Sequence, residues 1–423
     1  MLWLYLIFYL LTVILINESL KYFDTFEKDK LIILSSTLTI SMFSILYFIG
    51  LNIHVLILPG LFLLLLSSIL FYLKRKYHNP KPTTPIDYKA FSLFNIILIL
   101  GFGTYKKAIY LDGKWDAWAF WNTHAKFLAS NNWHELFNPH IDHVHSDYPL
   151  MLPATIAGFW KLLDSYTSFV PILFSFVIFY LLLWSLYSFI NNQLLAIGTV
   201  IYLISNYLFY KEIFSQYADS LLALYYLISV AAFYYLKNKN DKLMFVTGFL
   251  VFSSMWVKNE GIAFAIIFSV VAYLSFFKNY QHKLKYFLYG GLLPIVITLS
   301  FKLLIATNND ITSSLNRTIV QVFDMNRLIT ILIFLLKTIY ELFPIILVLI
   351  VFHIYKSGFK LKYKSGFGIL LGTLSAYIFI YMVTPNNLNW HLSTSASRLI
   401  HQLLPMFLLL ILNSLSATTQ KNL

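Results

Sequence analysis

A few residues, far apart in the chain, are of types that do acid–base and phosphate chemistry. Asp116 stands in KWDAWAFWNTHAKFL, between Trp115, Trp118 and Trp121. A carboxylate there could take the proton of an acceptor hydroxyl or amine; equally, it could stabilise a helix start, with the Trp residues as interfacial anchors. Asp219 stands in YKEIFSQYADSLLALYY, seven residues after Glu212, so the two acids would share a face if one helix ran through both. Here too a simple N-terminal cap competes. In MWVKNEGIAF, Lys258, Asn259, Glu260 and Gly261 interrupt an otherwise apolar stretch. Such a break exposes backbone groups and a cation suited to an anion; a tight turn carrying a Lys–Glu pair is the alternative. Of only four arginines, Arg398 lies in STSASRLIHQLLP, and its fork can grip a phosphate in a way lysine cannot. Lipid anchoring is the plainer role. His140, Asp142, His143, His145 and Asp147 have ligand types compatible with a divalent metal, but their spacing matches no metal motif, and a polar loop explains them as well.

The elements that must position these residues are apolar. Hydrophobic residues make up 59% of the 423 and charged residues 12%, with a mean hydropathy of +0.71. Water-soluble domains are roughly a quarter charged, so the expected class is an all-α polytopic membrane protein. Runs long enough to cross fall at 2–17, 31–51, 53–73, 91–105, 168–190, 193–209, 218–236, 243–257, 261–277, 286–305, 328–353, 367–384 and 398–416, about thirteen spans. The first run lacks a basic leader and a cleavage site and reads as a retained helix. Cysteine is absent, which excludes disulfides and thiolate metal sites.

Alternate loops carry 19 and 10 of the Lys and Arg residues, with Lys302 and Lys337 inside spans. Positive loops stay cytoplasmic, so the polar stretch 114–153, with Lys258 and Arg398, is expected on the outer face. That assignment holds only if 148–163 does not cross, and its prolines, Trp160 and Lys161 suit a helix lying in the interface, as does 115–130. Because the basic residues sit in short loops between spans, the net charge of +13 points to a bilayer and not to nucleic acid. Arg317 and Arg327 are expected outside as well, and Lys337 with Glu341 as an intrahelical pair facing protein.

Taken in order, WDAWAFWNTHAKFL, SDYPLMLPATIAGFWKLL, YADSLLALYY, WVKNEG and SRLIHQLLP resemble the GT-C superfamily of membrane glycosyltransferases, in particular the protein mannosyltransferase and lipid A aminoarabinose transferase group. The likeness covers 91–305, with an outer loop at 105–167, and loosely the last span; 1–90 then reads as additional helices and 306–423 as a C-terminal set. It implies transfer of a sugar from a polyprenyl-phosphate donor to a lipid, glycan or protein acceptor at the outer face; the absence of targeting signals and of cysteine fits a bacterial inner membrane. By position Asp116 matches the catalytic Asp, Asp219 a cavity acid, and Lys258 and Arg398 the donor-phosphate partners, with Glu260, Trp115, Trp118 and Tyr148 beside them. Asp147 matches an acid that in some relatives helps hold a metal, with His143 and His145 nearby. Asp116 is followed by Ala where many relatives carry a second acid, which sets this chain apart. A transporter or flippase, or a polymerase or ligase of lipid-linked glycans, is the rival expectation.

Overall fold

Long apolar runs without a polar face bury their own backbone only as helices, because a bilayer offers N–H and C=O groups no partner. A computed structural model describes every residue except 1, 56–57, 78, 103–108, 142–144, 277–279, 308–320, 359–360 and 420–423. Its helices, in chain order, are α1 (Leu2–Leu20), α2 (Lys28–Asn52), α3 (Leu58–Tyr77), α4 (Tyr88–Phe102), α5 (Asn122–Ala129), α6 (Met151–Leu163), α7 (Phe169–Phe189), α8 (Gln193–Ser205) and α9 (Tyr207–Phe214). There follow α10 (Ala218–Leu236), α11 (Met244–Val257), α12 (Glu260–Phe276), α13 (Gln281–Leu304), α14 (Met325–Leu342), α15 (Pro344–Ser357), α16 (Lys364–Val383) and α17 (Leu388–Thr419). Six of these are long and apolar enough to cross a membrane, or eight spans result if each of two bent pairs counts as one. The chain is therefore an all-helical, polytopic membrane protein.

The two bent pairs modify runs expected as single spans. Residues 193–209 break at Asn206, where α8 and α9 meet at 70°. The Asn206 side chain accepts from the N–H groups of Leu208 and Phe209, at 3.0 and 3.1 Å, and so starts a new helix. Residues 328–353 break at Pro344, which has no N–H to continue α14, and α15 leaves at 94°. Lys337 and Glu341 do pair, at 3.8 Å, but on an exposed surface and not against protein.

α17 begins ten residues before the span expected at 398–416. The polar segment that hid those turns keeps its hydroxyls bonded to its own carbonyls, Ser393 and Thr394 to Trp390 O and Ser395 to His391 O. Arg398 therefore sits well inside a helix and not at its start.

The core is built around α2, α10, α11 and α17. Trp256 Nε1 donates to Ser44 Oγ at 2.9 Å, Tyr225 shares its hydroxyl with Ser41, and Tyr47 donates to Leu128 O at 3.0 Å. α2, within the first ninety residues, thus packs into this core. α11 and α13 touch backbone to backbone: a Cβ on Gly248 would lie 1.8 Å from Phe287 O, and one on Gly290 2.0 Å from Phe245 O. Small residues at such crossings are how apolar helices approach closely in lipid. α6 is too short to span, as expected, and nine of its thirteen residues are buried, packed against α5 and α2.

Polar loops gather at two opposite ends. At the lysine-rich end Lys239 donates to Thr25 O, Asn240 N–H to Asp24 Oδ2 at 2.8 Å, and Lys283 to Lys237 O. A two-residue parallel ladder joins Phe26–Glu27 to Thr83–Thr84 there. The other end gathers Asp116, Asp147, Asp219, Lys258 and Arg398.

Candidate functional site

Asp116 stands at the start of a π-helical turn, Ala117–Trp121, that leads into α5. It thus holds the helix-start position, but its side chain makes no capping bond there. The carboxylate instead pairs with the Arg398 guanidinium, 282 residues away. The loop before it is pinned to the turn between α9 and α10. Lys114 N–H donates to Ser215 O at 3.1 Å, and Gln216 Nε2 donates to Tyr110 O and Leu111 O at 2.7 and 3.1 Å. The Asp116 N–H meets Tyr217 Oη at 3.3 Å, while the Arg398 guanidinium lies over the Tyr217 ring at 5.2 Å. π-Turns widen a helix locally and are frequent at functional sites.

Asp219 is not a cap either. Tyr217 occupies the cap position, and the Asp219 carboxylate, 1% exposed, accepts from Lys258 Nζ at 3.0 Å and Gln402 Nε2 at 2.5 Å. Glu212 and Asp219 do not share a helix face, because residues 215–217 separate α9 from α10. Gln402 is one turn beyond Arg398, so one face of α17 supplies both Arg398 to Asp116 and Gln402 to Asp219. Tyr377 donates to Gln402 Oε1 and thereby orients its amide.

Lys258 is extended between α11 and α12, and it pairs with Glu260 at 2.8 Å as well as with Asp219. Both expectations for this segment are met in part: a tight turn with a Lys–Glu pair is present, and so is a cation in a buried polar cluster. Burial works against the ammonium, but the two carboxylates outweigh it and raise its pKa, keeping it protonated. The turn requires glycine, since a Cβ on Gly261 would lie 1.9 Å from Ser254 O.

Asp147 accepts from Asn259 Nδ2 at 3.0 Å and lies 3.5 Å from Lys302 Nζ, which also donates to the Asp147 carbonyl. Tyr148 follows, stacked on His145 at 4.6 Å. Burial, then the Glu260 and Asp147 carboxylates, raise its phenol above the usual range, against Lys258 and Arg398. Tyr217 is pushed up to about 12, mainly by burial and then by the Asp116 carboxylate.

Six of the expected site residues thus enter three ion-paired groups at this end: Asp116 with Arg398, Lys258 with Asp219 and Glu260, and Asp147 with Lys302. Trp115 and Trp118 do not; they form an edge-on pair at 4.4 Å, 66% and 50% exposed, on the rim. Arg327 is spent on the end of α16, donating to Tyr381 O and Thr384 O. His143, Asp142 and Arg317 lie outside the described residues. The metal reading does not fit what is described: His145 is stacked on Tyr148, a lysine ammonium faces Asp147, and no group of three or more His, Asp or Glu side chains gathers among the described residues.

Sequence reasoning missed Gln402, Tyr217 and Lys302, and it did not foresee Asp147 as the partner of Asn259. Lys302 carried a signal, since a charge inside an apolar run marks a functional position by default. Three buried charged atoms, Arg398 Nε, Asp219 Oδ2 and Glu260 Oε2, have no hydrogen-bond partner among the described residues. Buried polar atoms are nearly always satisfied, and these three belong to the ion-paired side chains described above. No family model, curated protein or solved structure matches the chain.

Proposed function

We propose that the chain is a GT-C-like glycosyltransferase that moves a sugar from a polyprenyl-phosphate donor to a lipid, glycan or protein acceptor at the outer face of a bacterial inner membrane. The observation that carries this reading is the contact between Asp116 and Arg398. One is a carboxylate able to accept a proton, the other a planar cation suited to a phosphate, and the fold spends a contact across 282 residues on holding them together.

The reaction follows from that pair. The acceptor oxygen or nitrogen bonds to the anomeric carbon on the face opposite the phosphate, with inversion. The carbon–oxygen bond to the phosphate breaks and its electron pair leaves with the phosphate, while Asp116 takes the acceptor proton. At rest Arg398 holds Asp116; a donor phosphate competes for the guanidinium, through Nε among other donors, and frees the carboxylate beside the acceptor. Asp219, oriented by Lys258 and Gln402, keeps Oδ2 for a sugar or acceptor hydroxyl. Lys258 is already neutralised by two carboxylates, so its part is to hold Asp219, and Arg398 is the phosphate partner. Trp115 and Trp118 lie where headgroup-depth anchors would be. The reading takes the helices as about thirteen passes, with the shorter ones crossing where the bilayer is thinned and flanking residues snorkel.

The bent pairs α8–α9 and α14–α15 favour a second reading, since transporters also use broken helices. Purified protein in liposomes, given a polyprenyl-phosphate sugar and an acceptor, separates the two. Transfer predicts acceptor-dependent release of polyprenyl phosphate. Movement of intact donor across the bilayer without release would establish transport instead.

A further inference from the structure

A polar cavity, of about 480 Å³, opens at the lysine-rich end, at the opposite pole from the Asp116–Arg398 site. Its wall is made by the ends of α2, α7, α10 and α17 and by the loop before α16. Lys30, Lys237 and Lys362 line it, and among the described residues no acid does.

Several lysines around this end are paired with acids. Lys30 pairs with Glu27, Lys239 with Asp24 and Lys283 with Asp241. Lys237 and Lys362, both on the cavity, lie within ion-pair distance of no carboxylate among the described residues; each sits over a ring, Phe233 at 5.8 Å and Tyr363 at 5.7 Å. Neutral donors complete the set. Tyr235 Oη accepts from Glu27 N–H at 3.0 Å, and Tyr363 Oη accepts from Asn191 Nδ2 at 3.4 Å, so each phenol keeps its own proton to donate. The inner wall is apolar, formed by Phe189, Ala231, Leu409 and Leu410.

A cavity with cations and O–H donors around it, no carboxylate, and an apolar back is built for an anion on an apolar stem. We propose that it binds a phosphate group, either that of an anionic phospholipid or a free phosphate ion. The inference is independent of the glycosyltransferase reading, which concerns the other pole. Because the phosphate would be held by these cations, removing two of them should weaken binding by at least tenfold.

The test uses the purified full-length chain in phosphate-free detergent. The thermal midpoint is followed against short-chain phosphatidylglycerol, diacylglycerol of the same chain length, and inorganic phosphate. Saturable stabilisation by phosphatidylglycerol but not by diacylglycerol is expected, weakened at least tenfold in Lys237→Gln/Lys362→Gln. It should be unchanged in Lys285→Gln/Lys356→Gln, which removes equal charge away from the cavity. Saturable stabilisation by inorganic phosphate at the same site, lost in the same variant, assigns the site to free phosphate; its absence assigns it to the lipid. Equal stabilisation by diacylglycerol, an unchanged double variant, or an equal loss in the control pair would overturn the proposal. Should the double variant not fold, Lys362→Gln, at an exposed residue, carries the test, and unchanged binding there overturns it.

Discussion

Replacing Lys258 with Gln tests how the polar cluster is held. Its ammonium lies 3.0 Å from Asp219 and 2.8 Å from Glu260, and the three side chains are 4%, 1% and 14% exposed. At an effective dielectric near 20, each contact represents about 5 kcal/mol of gross attraction, most of it offset by desolvation. Losing the cation leaves two carboxylates buried side by side, one held only by Gln402, and removal of one partner from a buried pair costs about 3–5 kcal/mol. The apparent thermal midpoint of purified Lys258→Gln should therefore fall by several degrees. Lys258→Gln/Asp219→Asn/Glu260→Gln, which removes the charges together, should recover most of that loss, because an intact buried ion cluster adds little over neutral groups of the same shape. A single variant as stable as wild type would refute the reasoning, as would a triple variant less stable than the single one.

The remaining predictions concern neighbouring positions. Gly261→Ala should lower stability by at least about 1–3 kcal/mol, measured by thermal unfolding, since its methyl has no room against Ser254 O. Lys302→Met should weaken the seat of Asp147 and destabilise the protein by about 1–3 kcal/mol, whereas Trp115→Ala/Trp118→Ala, on the exposed rim, should change stability in detergent by less than about 1 kcal/mol. Tyr217 has a pKa raised above its unfolded value to about 12, so its contribution is complete below about 10 and is lost as pH rises through 12. A stability profile over that window should be less steep in Tyr217→Phe than in wild type.

Helices were legible because continuous apolar runs in lipid have no other way to bond their backbone, and the break at Lys258–Gly261 was legible because four polar or small residues interrupt such a run. The start of α17 was hidden, since serine and threonine look like loop residues unless their hydroxyls are seen to bond back within the helix. Asp116 and Arg398 were each visible, but as a base and a phosphate ligand with separate duties. Their pairing is a tertiary fact, made by the π turn and by the stapling of residues 110–117 to residues 215–217. Gln402 was invisible for a related reason: an amide in an apolar helix becomes informative only when its partner, Asp219, is known. The His-rich segment promised ligands by composition, yet Asp147 turned toward Lys302 and His145 toward Tyr148, because a nearby cation and an aromatic face supply partners that local spacing does not reveal.

The most direct measurement is the acceptor-dependent release of polyprenyl phosphate by purified wild-type protein and by Asp116→Asn, with folding of both checked by thermal unfolding. A general base contributes roughly 10²–10⁴-fold, so the account predicts release by wild type and a fall of at least about 100-fold in the folded variant. Release by folded Asp116→Asn within a few-fold of wild type would contradict it.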